Sequence, residues 1–299
     1  MKKNLLLFSC LALLTACAGT RKEISLTSEP SIERAFDIIS GTSQGKQLVK
    51  YLYKHPVRFE FSNTPGMCHK FALKKGLIFL PLEMKSSDLV LALAAARAAY
   101  IYRLYTETGL GEIISEEEEL AALFQARLAL EVNVVEKDFK KADAAAAIRS
   151  DFCTYIMESS KYAMAQARRE ALTRNEDCQR PLETLENQRI WLEKIRKSMD
   201  NDNFHQLLYD RDMQRVRRGS MPISEAMKND ARVRALPVYE TYRYQRTFYD
   251  DQKAIFSAFG KIYRREASAD EAWRRRNREA LDRARGEFST CGLPGLEAQ

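Results

Sequence analysis

The sequence lacks most of the features that mark an enzyme. It contains only three histidines, His55, His69 and His205, and they lie far apart along the chain. Cys68 and His69 are neighbours whose side chains are expected to diverge, which argues against a nucleophile–base pair. No GxSxG or SxxK motif is present, so no recognisable serine hydrolase is indicated. The sequence therefore predicts no catalytic residue, no metal site and no cofactor.

Long hydrophobic runs are also scarce. Beyond residue 20, none approaches the ~20 apolar residues that a membrane-spanning helix requires. The start of the chain is different, because Lys2 and Lys3 precede an apolar run over Leu5–Leu14. This run is too short to cross a bilayer as a stable helix, and a positive start followed by such a run is typical of a secretory signal.

The segment Leu14-Thr15-Ala16-Cys17 follows the apolar run. Its small residues fit a narrow peptidase cleft, and the segment resembles the lipobox of bacterial lipoproteins. The resemblance implies cleavage between Ala16 and Cys17 and attachment of a diacylglycerol to the Cys17 thiol. Ala18 follows, and not an aspartate, which implies the periplasmic face of the outer membrane in a cell with two membranes. The alternative is an ordinary secretory signal that contains a cysteine.

The charge of the chain is mildly positive, with a formal net charge of +7. Lys and Arg are interspersed with Asp and Glu almost everywhere, which is typical of solvated helix surfaces. Together with the export signal, this pattern disfavours nucleic acid as a partner. Attraction to anionic lipid headgroups or to acidic envelope polymers stays open. The predicted partners are the membrane, through the N-terminal lipid, and an envelope protein or polymer.

The cysteines also suggest an exported protein. Of the six, Cys10 leaves with the signal and Cys17 carries the lipid. No CxxC pair is present, so neither a zinc knuckle nor a thioredoxin-like site is indicated. In an oxidising compartment the other four can form one or two disulfides in three connectivities, with buried free thiols as the alternative. These four are Cys68, Cys153, Cys178 and Cys291.

The residue patterns predict a mainly α fold with a small β-sheet near residues 57–81, an α+β arrangement. Val57–Phe61 alternates apolar and polar residues, and Gly76–Pro81 is an apolar run closed by proline, so two or three strands are expected. The predicted organisation is a signal peptide over 1–16, a polar tether over 17–29, an α+β core over 30–137 and a helical region packed on the core over 138–299.

Serine and acidic residues mark several predicted helix starts. Ser86 or Ser87 can cap a helix from Asp88 that is apolar on most faces and is therefore expected to be central and buried. A capping box at Ser115 predicts the start of an acidic helix, and another at Ser268–Glu271 predicts the start of the last helix. The final helices are predicted over about 246–266 and 269–287.

The order of these elements between residues 41 and 131 carries a second resemblance. A glycine-containing helix, a strand, a further strand GLIFLP, a buried helix and an acidic helix follow one another, and this order resembles the core of zincin-type metallopeptidases. In that family the buried helix carries HExxH. Its two histidines lie one turn apart so that both reach one zinc ion, and the glutamate acts as general base.

The zinc-binding motif itself is missing from this chain. Both ligand positions and the base position are alanine in the matching segment, Ala95-Ala96-Arg97-Ala98-Ala99. Glu117, Glu118 or Glu119 could match a third ligand. The resemblance thus implies a degenerate zincin-like scaffold, a pseudoenzyme without metal. The alternative is a close-packed core helix, followed by glutamates that the helix dipole favours.

Aromatic residues and arginines concentrate between residues 239 and 249. Tyr and Arg are typical of interfaces because they bury large areas while their polar tips stay hydrogen-bonded. Amphipathic packing of a helix on the core is the alternative. The residues of this predicted interface are Tyr239, Tyr242, Arg243, Tyr244, Arg246 and Tyr249.

These features predict a membrane-anchored envelope lipoprotein with a non-catalytic binding or scaffolding role. The competing class is an enzyme, either a peptidase that uses the zincin-like scaffold or a hydrolase with unrecognised carboxylates. A purely structural envelope protein is a third class. Metal content separates the first two, because loss of the ligands predicts no bound zinc.

Overall fold

The computed structural model describes residues 25–63, 70–110, 114–140, 145–177, 184–288 and residue 291. Several predicted site residues lie outside these ranges. They are Ala16 and Cys17 of the lipobox, together with Cys68, His69 and Cys178.

Twelve α-helices and three strands occur in the described residues, which confirms the mainly α fold with a small β-sheet. The strands are β1 (Arg58–Ser62), β2 (Lys70–Ala72) and β3 (Leu77–Pro81). The helices are α1 (Pro30–Ser40), α2 (Ser43–Leu52), α3 (Asp88–Thr108), α4 (Ser115–Glu131), α5 (Glu136–Phe139), α6 (Ala145–Met157), α7 (Ser160–Asp177), α8 (Leu185–Asp202), α9 (Phe204–Arg217), α10 (Ile223–Arg234), α11 (Pro237–Arg276) and α12 (Arg278–Glu287).

The sheet has the strand order β1-β3-β2, with β3 in the middle. β1 pairs with β3 in parallel, Phe59 lying opposite Ile78, whereas β2 pairs with β3 in antiparallel fashion. Phe59 and Ile78 are fully buried. Because successive side chains of a strand point to opposite faces, the apolar alternation of β1 turns one face of the sheet towards the core.

α3 is the central helix of the core, as its apolar sequence predicts. Its N-cap is Ser87, whose hydroxyl oxygen accepts a hydrogen bond from the Val90 N–H at 3.4 Å. α1 and α4 both pack against α3, and the small buried alanines of α3 allow this close approach. The helix ends at Gly109, which adopts the left-handed conformation with φ of 76° that favours glycine.

The N-terminus of α4 differs by one residue from the predicted capping box. The capping residue is Ile114, whose N–H donates to the Glu117 carboxylate at 3.1 Å. Ser115 is therefore the first helical residue and not the cap. Its hydroxyl donates to the neighbouring Glu116 carboxylate at 3.0 Å.

The predicted helix start at Ser268 is wrong. α11 runs without a break over 40 residues, so the separate helices predicted over 246–266 and 269–287 are replaced by α11 and the shorter α12. The Asp270 side chain does not cap a helix, because it is fully buried and accepts hydrogen bonds from the Tyr155 and Ser160 hydroxyls. These contacts from α6 and α7 give Asp270 a tertiary role.

The predicted tether over 17–29 includes residues that pack on the body. Leu26 and Thr27 are buried. The Phe59 N–H donates to the Leu26 carbonyl at 2.8 Å, and the Thr27 hydroxyl donates to the Phe59 carbonyl at the same distance. The chain is thus fixed to β1 from Leu26 onward, and any free tether ends before that residue.

Helices α8, α9 and α10, together with residues 237–250 of α11, form a region that we call the arm. Its helices pack chiefly on one another, α9 on α10 and α8 on α11, with Trp191 against Phe248 at 5.4 Å between ring centres. The arm exposes several large apolar side chains. They include Ile190, Trp191, Leu207, Ile223, Met227, Val238 and Tyr244. Among the described residues, no helix is long and apolar enough to cross a membrane.

Candidate functional site

The positions that match HExxH lie in the middle of the buried helix α3. Ala95, Ala96 and Ala99 are fully buried, and their methyl groups offer no metal ligand. Arg97 is the polar residue of this segment, and its side chain is only 1% exposed. The middle of this buried helix therefore holds a cation that belongs to the protein itself.

Arg97 joins three helices through its guanidinium group. Its Nε donates to Glu118 at 3.1 Å and its Nη1 to Gln125 at 3.2 Å, both on α4. The same Nη1 forms a short ion pair with Asp151 on α6. Burial lowers the pKa of Arg97, but Asp151 and Glu118 outweigh it and raise this pKa above its ordinary value. Arg97 is therefore a permanently charged cross-link between α3, α4 and α6.

The glutamates at the start of α4 are each engaged within the protein, and Glu116 and Glu119 share Arg168 as a partner. Glu116 accepts the Leu185 N–H at 3.1 Å, Glu117 caps its own helix, and Glu118 binds Arg97. Glu119 accepts hydrogen bonds from Arg168 and from the Tyr263 hydroxyl. Within the ranges that the structure describes, no three His, Cys, Asp or Glu side chains converge as metal ligands. Within these ranges, no other metal ligands accompany the glutamates that were predicted as a possible third ligand.

Glu119 lies at the base of an open groove of about 850 Å³ between α7 and α11. Burial raises the pKa of Glu119 and also that of Tyr263. Met164, Ala165 and Ala267 contribute apolar lining to the groove. This arrangement is a preformed cleft with a hydrogen-bonded carboxyl group at its base.

A second carboxyl group with a raised pKa lies beside the Arg97 cluster. Glu170 on α7 accepts hydrogen bonds at Oε1 from the Ser150 hydroxyl at 2.7 Å and from the Gln166 amide at 2.9 Å. Burial raises the pKa of Glu170, and the neighbouring Asp151 carboxylate raises it further. Above its folded-state pKa, Glu170 is ionised, and its charge lowers the free energy of unfolding. This destabilisation disappears as the pH falls through that pKa.

Replacement of Glu170 by Gln is expected to raise the free energy of unfolding at neutral pH. The Gln carbonyl can keep both hydrogen bonds, while its amide nitrogen can donate to Asp151 in place of like-charge repulsion. The gain over the wild type should shrink as the pH falls through the pKa of Glu170. Urea unfolding of both proteins across this pH range measures the difference in their free energies of unfolding. The matched change Glu193→Gln removes an exposed carboxylate whose pKa Arg196 lowers, and it should bring no gain.

The six residues of the predicted interface fall into two groups. Tyr239 and Tyr242 are half-buried and pack edge-on against His205, at 4.7 and 4.5 Å between ring centres. Tyr244 is 73% exposed. Arg243 and Arg246 are also exposed, and each forms an ion pair within its own helix, with Glu240 at 3.0 Å and Asp250 at 2.9 Å. Tyr249 is half-buried, with the Lys253 amine 5.7 Å from its ring centre.

His55 and His205, the two histidines that the structure describes, both pack against tyrosines. His205 is buried against two tyrosines of α11, and burial lowers its pKa. His55 stacks on Tyr51, with ring centres 4.1 Å apart.

Cys153 on α6 forms a disulfide with Cys291, and the two Cα atoms are 5.3 Å apart. The bond ties the C-terminal part of the chain to the core beside three packed rings. These rings belong to Phe139, Phe152 and Phe288. The other two candidate cysteines, Cys68 and Cys178, lie outside the described residues.

Comparison with protein-family models, with curated proteins and with solved structures found no match for this chain. The lipobox and zincin-like resemblances therefore rest on the residues quoted for them. The candidate surfaces that the geometry offers are the groove above Glu119 and the exposed part of the arm.

Proposed function

We propose that this chain is an envelope lipoprotein that is anchored through Cys17 and binds a protein partner without catalysing a reaction. Cleavage between Ala16 and Cys17 produces the lipid-bearing N-terminus, and the absence of Asp at position 18 directs the protein to the periplasmic face of the outer membrane. In this proposal the degenerate zincin-like core is a scaffold. Its support is the matching segment, where alanines and an internally paired arginine occupy the positions of the catalytic motif.

The observation that carries the binding role is the exposed aromatic and arginine surface of the arm. Tyr244 is largely exposed, and Arg243 precedes it on the same helix. Exposed Tyr and Arg are the residues that most often dominate the binding energy of protein interfaces. Tyr239 and Tyr242 pack beneath this surface on His205, so the helix presents it from a fixed support.

A second candidate function is hydrolysis in the groove above Glu119. The observation in its favour is the raised pKa of that carboxyl group, because a general acid must hold its proton near the working pH. The ion pair between Glu119 and Arg168 opposes this role, since it stabilises the charged form. Glu119→Gln separates the two functions: partner binding through the arm survives this change, whereas hydrolysis does not.

Crosslinking from the arm tests the binding role. A photo-reactive amino acid at position 244 is expected to give a discrete protein adduct in intact cells, whereas the same group at Tyr53 should not. Tyr53 is a suitable control because it is also exposed but lies at the end of α2, outside both the arm and the groove above Glu119. Once the partner is captured, Tyr244→Ala should weaken binding by about thirtyfold or more, the usual effect of losing a dominant interface residue. Adducts with lipid or polymer alone would contradict a protein partner.

A further inference from the structure

The turn between α9 and α10 and the adjoining parts of both helices, residues 215–232, form what we call the hairpin tip. Four cations of the tip are exposed and form no ion pair within the described part of the chain. Glu225 is an exposed acid on the same tip, so an excess of positive charge remains. The four cations are Arg217, Arg218, Lys228 and Arg232.

The same tip exposes apolar side chains next to these cations. Ile223 and Met227 are 57% and 65% exposed and lie one turn apart on α10, so they share a face of the helix. Lys228 and Arg232, also one turn apart, lie on another exposed face of the same helix, about 140° around its axis from the apolar pair. An apolar face and a separate basic face on one helix are the pattern of helices that lie in a membrane interface.

The hairpin has a rigid base that fixes this surface. Asp212 on α9 accepts a hydrogen bond from the Asn229 side chain on α10 at 3.0 Å. Arg211 and Arg215 flank the same carboxylate at 3.4 and 4.0 Å. These two arginines are therefore engaged within the hairpin, whereas Arg217, Arg218, Lys228 and Arg232 stay exposed.

We propose that the hairpin tip binds the surface of an anionic phospholipid bilayer, with its cations at the headgroups and Ile223 and Met227 at the acyl boundary. This proposal deepens the proposed envelope location and rests on it for the identity of the surface. The charge sign of the tip complements anionic headgroups, each cation near such a surface strengthening binding by roughly fivefold. The aromatic surface around Tyr244 is then left for the protein partner.

The composition of the tip favours a bilayer over a protein as its occupant. Protein interfaces rely on Trp and Tyr in well-packed pockets, and residues 215–232 contain neither. The tip instead combines Ile and Met with long, exposed cations on a convex helical turn, which a fluid surface can accommodate. The proposed anchor helps, because the eight Cα–Cα steps from Cys17 to Ser25 span at most about 28 Å, which keeps the body close to the bilayer.

Vesicle binding tests the proposal on the chain that begins at residue 17 with Cys17→Ser, which retains every described residue but carries no lipid. It should bind vesicles that contain phosphatidylglycerol, bind vesicles of pure phosphatidylcholine far more weakly, and lose affinity as salt is added. The variant R217Q/R218Q/K228Q/R232Q should bind at least about a hundredfold more weakly, since each lost cation costs roughly fivefold. I223S/M227S should weaken binding about tenfold, because it removes the apolar contact.

The matched control is K46Q/K50Q/R275Q/R276Q, which removes the same charge from exposed positions on α2 and α11. It should keep its affinity to within about twofold, since distant charges are screened. Equal weakening of the control, or equal binding to both vesicle types, would overturn the proposal. The proposal would also be overturned if I223S/M227S bound vesicles as well as the wild type and soluble polyglutamate competed as well as vesicles do. These results would indicate a general polyanion site. Because the chain used carries no lipid and keeps Tyr244, failure here is distinct from failure of the anchor or of the protein interface.

Discussion

Replacing Arg97 with Met is expected to lower the free energy of unfolding by about 3–5 kcal/mol, the usual cost of removing one partner from a buried ion pair. Met keeps much of the volume and the flexibility of the side chain, so the main change is the loss of charge. Asp151 and Glu118 then stay buried without their cation. Since both contacts join α3 to neighbouring helices, the loss should appear in global unfolding by urea.

Two further variants show whether charge pairing is the cause. Arg189→Met removes an exposed arginine that pairs with Glu186 at 2.7 Å, and it should cost less than about 1 kcal/mol. Asp151→Asn added to Arg97→Met should recover part of the loss, because it removes one uncompensated charge. A cost for Arg97→Met that equals that of the exposed control would show that Arg97 does not organise the core.

Removal of the disulfide by Cys153→Ala and Cys291→Ala is the second change with a large expected effect. The free energy of unfolding should fall by about 2–5 kcal/mol. The two cysteines are 138 residues apart in sequence, so the bond restricts a long loop of the unfolded chain. Urea unfolding of the wild type and of the double variant, both purified and measured without reductant, gives this difference.

The same bond bears on where the protein resides. Disulfides persist in oxidising compartments and are rare in the cytosol of most organisms. With the proposed envelope location, peptide mapping of the protein purified without reduction should recover Cys153 and Cys291 in one cross-linked peptide. Two free, alkylatable thiols in that preparation would contradict this prediction.

The strands β1 and β3 and the start of α3 could be predicted because each is marked by a pattern of neighbouring residues. The alternation of Val57–Phe61 and the apolar run ending at Pro81 indicate β1 and β3, and Ser87 indicates the start of α3. The parallel pairing of β1 with β3 depends on the path of the chain between them, which no local pattern contains. Asp270 shows the same limit, because its partners Tyr155 and Ser160 lie 115 and 110 residues away in sequence.

One feature of the sequence indicated the buried charge cluster. Arg97 stands alone in an otherwise apolar stretch of α3, and a charge in such a stretch requires a buried partner. That partner could not be named in advance, because Asp151 is one of many acids in the later helices. The aromatic cluster was equally ambiguous: Tyr239 and Tyr242 pack inward on His205, whereas Tyr244 faces solvent. Only the tertiary arrangement separates these two roles.

The proposed anchor at Cys17 is the central claim, and the mass of the N-terminal peptide of the protein isolated from membranes tests it most directly. The account predicts a peptide that begins at Cys17 and carries the added mass of a diacylglycerol, and Cys17→Ser should abolish this species. An N-terminal peptide that begins at Met1, or a mature peptide with a free Cys17 thiol, would contradict the account.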